Sequence, residues 1–179
     1  MKPWFTYKAI RYLELLINKN MTAFEWGSGA STLWFSKLCN RVTSIEHNME
    51  WALRTADMII ERNNAEVIHI PPLFIGEERE YSLESFTSKE HLHGHIFEAY
   101  CRAVEPFNAD VYCIDGRARL SCLGVLLPKL KAGNLVIWDN SEREHYTPGL
   151  ELLEEIAIRY DFLEAGQGGN WQTSLFKIK

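Results

Sequence analysis

Apolar positions along the chain switch repeatedly between a helical and a strand-like period. From Ala9 to Lys19, the residues Ile10, Leu13, Leu16 and Ile17 fall on one face of an amphipathic helix. Thr22 to Trp26 then reads as a short strand running into Gly27-Ser28-Gly29, with a helix from Ser31 to Leu38 behind it. The alternation recurs as a strand over Val42–Glu46, a helix over Trp51–Arg62, and a strand over Val67–Ile70. Pro71-Pro72 stops that strand, since proline cannot donate to a ladder. Leu73 to about Lys89 is irregular and polar, longer than most connections, and reads as a lid or substrate loop. Beyond it lie a helix over Phe97–Val104, a strand over Val111–Asp115, and a helix over Leu120–Leu130 with Gly133 as its stop. A strand over Leu135–Asp139 leads to a last helix, from Thr147-Pro148 through Ile158. Phe162–Glu164 and Thr173–Ile178, parted by a glycine-rich turn, close the pattern as a hairpin.

Strands alternating with helices predict an α/β fold: a doubly wound, mostly parallel, seven-stranded sheet with an antiparallel C-terminal edge strand. No repeat or linker interrupts the pattern. One domain over residues 1–179 is expected, with 1–20 as an N-terminal helical segment. In such sheets ligands bind beyond the carboxyl ends of the strands, and every candidate motif below falls there.

Composition narrows the function classes. A chain of 179 residues with 46% hydrophobic positions can bury a sizeable core, which argues against disorder. A net charge of -5 argues against a nucleic-acid partner, because phosphate contacts need a basic face, although it leaves room for a local basic pocket. Cys39, Cys101, Cys113 and Cys122 form no C-x-x-C pair, which suggests reduced thiols. The start lacks the apolar core of a signal peptide and no run reaches the length of a membrane span. A cytoplasmic location without a membrane partner is the default expectation. The apolar residues Trp4 and Phe5 could serve an interface in a homo-oligomer.

The chemistry begins at Glu25-Trp26-Gly27-Ser28-Gly29-Ala30-Ser31-Thr32, between the first strand and its helix. Gly27 and Gly29 leave bare backbone toward a ligand, and the following helix start offers its amides. Glu46 ends the second strand, 17 residues after Gly29, where an acid can accept hydrogen bonds from both ribose hydroxyls of a nucleoside. A tight turn and a solvated strand end are the plain alternatives.

Glu-x-Gly-x-Gly after the first strand, with an acid ending the second, resembles the class I S-adenosylmethionine-dependent methyltransferases. The stretch FEWGSGASTLWFSKLCNRVTSIEHNMEW, Phe24 to Trp51, looks like a subgroup of small bacterial members. The resemblance covers roughly residues 20 to 179. It implies Glu25, Gly27, Ser28 and Gly29 around the methionine part of the cofactor and Glu46 on its ribose, with His47 near the adenosine. Ser31 stands where many members carry a third glycine, and a small hydroxyl residue still suits that place. NAD is the competing nucleotide, but its fingerprint asks for a third glycine where this chain has Thr32.

Asp115-Gly116-Arg117 closes the fourth strand and Asp139-Asn140 the fifth. Two Asp and one Asn supply hard oxygen ligands of the kind magnesium prefers. The set is similar to the metal site of catechol-type O-methyltransferases, and Asp115, Asp139 and Asn140 would hold a divalent cation that activates an acceptor hydroxyl. Other readings are a structural turn, or Asp115 as an acceptor-orienting or general-base carboxylate beside the cofactor without any ion. Arg117, Arg119 and Arg143 could clamp an acidic substrate or simply pair with Asp115 and Glu142. His91, His93 and His95 alternate but flank Gly94, so a solvated loop is favoured over a metal site. His145 and Tyr146 are acceptor-site candidates, and Trp34, Trp51 and Trp138 are expected to pack between helices and sheet.

The sequence therefore predicts an enzyme that moves a methyl group from S-adenosylmethionine to a small-molecule acceptor, with oxygen favoured by Asp115 and Asp139. The alternatives are a cofactor-binding or interaction domain without turnover, and a nucleotide-dependent oxidoreductase.

Overall fold

In a computed structural model, which describes residues 2–90, 92–166 and 169–179, the chain alternates strands and helices from end to end. Helix α1 (Tyr7–Leu16) precedes β1 (Thr22–Trp26), α2 (Ala30–Leu38), β2 (Arg41–Glu46), α3 (Met49–Met58) and β3 (Ala65–His69). Two short strands, β4 (Leu73–Phe74) and β5 (His95–Ile96), come next, followed by α4 (Glu98–Arg102) and β6 (Val111–Ile114). Then follow α5 (Arg119–Leu126), β7 (Leu135–Asp139), α6 (Thr147–Ile156), β8 (Ala157–Gly166) and β9 (Gly169–Ile178).

Seven strands join in the order β3-β2-β1-β6-β7-β9-β8. The first five of these pair in parallel, and β9 runs antiparallel to both β7 and β8. This is the doubly wound, mostly parallel sheet that the alternation predicts. The antiparallel C-terminal strand is present too, set one place in from the edge that β8 occupies. From β1 the chain winds outward through β2 and β3, then returns to lay β6 on the other side of β1. The gap between the ends of β1 and β6 is thus the topological switch point, where such sheets bind ligands. Trp26 pairs with both Ile45 and Ile114, so the register brings Gly27, Glu46 and Asp115 to one rim.

Both faces of the sheet are covered, which explains strands with unbroken apolar runs. Along β6, Tyr112 and Ile114 join one core with Trp26, Tyr100, Leu123, Trp138 and Phe176. Val111 and Cys113 point to the other, with Leu13, Trp34, Phe35, Ile137 and Leu175. Each such side chain, fully buried, contributes about 1.5–3 kcal/mol. Phe5 is part of that second core, 3% exposed against Trp34 and Phe35, so it is closed to an interface between copies. Trp4, in contrast, is 78% exposed.

Three boundaries depart from the hydrophobic pattern. The helix expected through Ile158 stops at Ile156, because Ala157 and Ile158 pair with Ile178 and Lys177 of β9. Helix α3 ends at Met58 rather than Arg62. The irregular stretch after Leu73 is closed at its neck by β4 and β5. Of the alternating histidines, His91 lies outside the described residues, and His95 belongs to β5. All four cysteines are buried free thiols. Among the described residues no helix is long and apolar enough to cross a membrane.

Candidate functional site

The glycine turn is held from three sides. Gly27 has φ +91, and a Cβ there would lie 2.8 Å from both Cα and N of Gly116, so only glycine fits where the loops after β1 and β6 touch. Gly116 has no space for a Cβ either, because the Tyr100 hydroxyl fills it. The Gly27 amide donates to the Ile45 carbonyl (2.9 Å), the Ser28 amide to Glu46 Oε2 (3.0 Å) and the Gly29 amide to Thr32 Oγ1 (3.0 Å). Trp51 Nε1 donates to the Ser28 carbonyl at 2.5 Å, which ties the loop to α3. Behind the loop, the first amides of α2, at Ala30 and Ser31, lack intrahelical partners and present the positive end of the helix.

Glu25 lies beneath this loop at 0% exposure. Its Oε2 accepts from Thr32 Oγ1 (2.6 Å) and Ser44 Oγ (2.5 Å), so the carboxylate, Thr32 and the Gly29 amide form one chain of bonds. Oε1 makes no hydrogen bond, although the Ser31 hydroxyl lies close. Burial pushes the Glu25 carboxyl up to about 7.

Glu46 is 2% exposed at the end of β2. Besides the Ser28 amide it accepts from the Asn48 amide at 2.9 Å, and His47 Nδ1 lies 2.7 Å from Oε1. Its carboxyl is held below the usual range even though burial, the largest influence, opposes that; the bonds from His47, Asn48 and Ser28 outweigh it. The His47 ring packs against Phe97 and Tyr100.

At the ends of β6 and β7 the expected metal donors converge on a guanidinium. Arg119, 8% exposed in its side chain, donates from Nη2 to Asp115 Oδ1 at 3.1 Å and to Asn140 Oδ1 at 3.4 Å. It also donates to the backbone carbonyls of Gly116, Asp115 and Asp139. The Asp139 carboxylate turns away to accept from Thr173 Oγ1 (2.6 Å), whose oxygen also receives the Thr6 amide. A divalent ion would have to share this space with a fixed cation. Asp115, Asp139 and Asn140 therefore do not fit the metal site read from the sequence. Among the described residues no cluster of three or more His, Cys, Asp or Glu side chains is placed to share an ion.

What remains is Asp115. Arg119 takes its Oδ1, and no donor among the described residues reaches Oδ2. Burial raises its carboxyl to about 6, with Arg119 opposing and Glu25 and Glu46 adding to the rise. Burial likewise raises Asp139, to about 7.

Arg117 and Arg143 do not pair with Asp115. Both reach Glu90 from the stretch between β4 and β5, at 3.7 and 2.7 Å. His145 lies nearby, its Nε2 buried and without a hydrogen-bond partner, and its ring meets Tyr81 edge-on. Sequence reasoning passed over Thr32, Ser44, Tyr100 and Glu90. Thr32 and Ser44 carried no separate signal, since both stand among other polar residues of α2 and β2.

A separate cavity of about 270 Å³, lined by Thr22, Asp110, Lys129 and Asn134, opens at the opposite, amino-terminal end of the strands. It shares no residue with the glycine loop, and the chemistry described above points to the carboxyl end.

No family model and no curated protein matches the chain. Solved structures do. An rRNA methylase from Streptococcus thermophilus is 12% identical, with 100% of this chain and 99% of that chain covered and a TM-score of 0.65. The chain has the methyltransferase fold. An O-methyltransferase from Bacillus cereus in complex with S-adenosylhomocysteine is 16% identical, covering 97% of this chain and 82% of that chain at a TM-score of 0.63. The O-methyltransferase TomG from Streptomyces achromogenes, in complex with S-adenosylmethionine, is 14% identical over 94% and 77%, at 0.65. Within this fold, the residues at the rim suit S-adenosylmethionine. Open amides at the start of α2 and the unpartnered Glu25 Oε1 suit an amino-acid moiety, whereas the missing side chains of Gly27 and Gly29 make room for Gly116 and Trp51 rather than for a ligand. Ribose hydroxyls would reach Glu46 by displacing the His47 imidazole from Oε1.

Proposed function

We propose that the protein binds S-adenosylmethionine across the ends of β1 and β2 and transfers its methyl group to a small-molecule acceptor, without a divalent ion. One observation carries the reading. The Glu46 carboxylate holds the Ser28 amide of the glycine loop at 3.0 Å, at the switch point of a sheet with the methyltransferase fold. Loop and ribose acid thus form one unit, as a nucleoside carrying an amino acid requires.

Gly27, Ser28 and Gly29 would face the methionine part, with the α2 amides and Glu25 beside it, and Ser31 at the first helical turn. Glu46 would take the ribose. The bound cofactor supplies a sulfonium methyl, already a strong electrophile, so the protein's work is alignment and proton removal. Asp115 suits both tasks. Arg119 fixes one oxygen and leaves Oδ2 open, and a carboxyl raised to about 6 is ionised at neutral pH yet more basic than an ordinary Asp. It would orient an acceptor hydroxyl and take up its proton. Oxygen as the acceptor atom is supported by the likeness to the Bacillus and Streptomyces O-methyltransferases. An acidic chain, with net charge -5, suits a small acceptor better than RNA. The assay is transfer of a labelled methyl group to a panel of small hydroxyl compounds. Turnover lost in Asp115→Asn with cofactor binding retained is the expected result; turnover unchanged in that variant would overturn the role given to Asp115.

The engagement of both Glu46 oxygens favours a second reading, a domain that keeps the fold without turnover. S-adenosylhomocysteine that fails to bind even after His47→Ala would select it.

A further inference from the structure

We infer that the acceptor carries an anionic group, a carboxylate or a phosphate, and that it binds to Arg117 and Arg143 in the place Glu90 now occupies. The inference rests on the methyltransferase reading for the word acceptor, but the anion site stands on its own geometry.

Arg117 lies two residues past Asp115 on the loop after β6, and Arg143 three residues past Asn140 on the loop after β7. Two strand ends thus aim guanidiniums at one point beside the proposed methyl-transfer site. Glu90 fills that point: Oε1 meets Arg143 at 2.7 Å and Oε2 lies 3.7 Å from Arg117. Among the described residues Arg143 has a second acidic contact, Glu142 at 4.0 Å, whose other oxygen already receives the Gln172 amide. Arg119 is neutralised separately by Asp115. The carboxylate of Glu90, bonded by Arg143 and within 3.7 Å of Arg117, therefore shows the kind of group the pair attracts, an oxyanion.

Glu90 is also poorly suited to be a permanent partner. It comes from an irregular stretch, its side chain is 41% exposed, and those of Arg117 and Arg143 are 32% and 34% exposed. Ion pairs this open contribute about 0–1 kcal/mol, so a ligand anion can displace the side chain. A second observation points to a ligand at the same place. His145 Nε2 is buried there without a partner, and its imidazole is held neutral at neutral pH by burial. The charges of Glu90, Arg143, Lys89 and Arg119 act on this ring, which packs against Tyr81 and Tyr146. A buried ring nitrogen with no bond is costly unless a ligand group completes it.

The test uses the whole chain with inorganic phosphate and with succinate as probes, titrated by calorimetry with and without S-adenosylhomocysteine. Glu90→Gln is expected to bind one of the two at least tenfold more tightly than the unaltered protein, and Arg117→Met/Arg143→Met to lose that binding. Preference for phosphate or for succinate identifies the source of the oxyanion. Equal affinity in all three proteins, or no binding to Glu90→Gln, would overturn the inference. Failure of S-adenosylhomocysteine to bind while the anion response persists would strike the cofactor reading instead, so the two failures are separable.

Discussion

Arg119 and Asp115, four residues apart, form an ion pair with Nη2 3.1 Å from Oδ1, the guanidinium buried and the carboxylate partly so, among the residues that the sequence offered as metal ligands. The same guanidinium also binds backbone carbonyls from the loops after both β6 and β7. Removing it strands that carboxylate together with those carbonyls. Arg119→Met is expected to lower stability by about 3–5 kcal/mol, read by urea denaturation. Cofactor affinity and turnover of the unaltered protein should be indifferent to added magnesium and to EDTA. Loss of turnover on chelation would contradict the assignment of Arg119 as the cation of this site.

Gly27→Ala tests the contact between the loops after β1 and β6. The new Cβ meets Gly116 at 2.8 Å and the residue must keep φ +91. Left-handed strain and overpacking together predict a loss of about 2 kcal/mol or more in denaturation, with cofactor binding weakened in the same variant. Unchanged stability would mean that the two loops do not touch.

Glu46 and His47 are expected to behave oppositely. Glu46→Ala removes both the ribose acceptor and the anchor of the Ser28 amide, and should weaken S-adenosylhomocysteine binding about 100-fold, or about 2.7 kcal/mol. His47→Ala leaves Oε1 with only the Asn48 amide and should bind S-adenosylhomocysteine as tightly as the unaltered protein or more tightly. Equal weakening by both substitutions, measured by calorimetry, would show that His47 holds the ligand rather than blocks it.

Stability should fall as pH rises through the neutral range. Burial raises Glu25 and Asp139 to about 7 and Asp115 to about 6, all above the values near 4 that such groups have when unfolded. Between those limits the folded chain holds more protons, so raising the pH favours unfolding. The charge of Asp115 adds to the rise at Asp139. Glu46 works the other way, since its lowered carboxyl adds stability above the ordinary Glu range and loses it as pH falls. Thermal melts should therefore give a higher Tm at pH 5.5 than at pH 8. Glu25→Gln should flatten the dependence by about 2 kcal/mol between pH 5.5 and pH 8. A Tm that climbs steadily toward pH 8 would rule out a buried proton on Glu25.

Much of this architecture was legible in the chain itself. Strands β1 and β7 coincide with the stretches read at Thr22–Trp26 and Leu135–Asp139; β7 has the apolar run of a strand buried on both faces, and in β1 the buried Glu25 interrupts it. The start of β8 was hidden, since Ala157 and Ile158 continue the helical spacing of α6, and only pairing with Ile178 and Lys177 draws them into the sheet. At the site, Gly27 and Glu46 announced themselves through spacing. Arg119 was legible as a partner of Asp115, and it pairs with it, but nothing local showed that its guanidinium is also buried among carbonyls from two loops. Glu90 was silent, because its partners Arg117 and Arg143 are fixed by loops distant in sequence.

Calorimetric titration with S-adenosylhomocysteine reaches the central claim most directly. Saturable binding at one site per chain is predicted, weakened about 100-fold by Glu46→Ala and not reproduced by NADH. No heat from S-adenosylhomocysteine with the unaltered protein or with His47→Ala would contradict it.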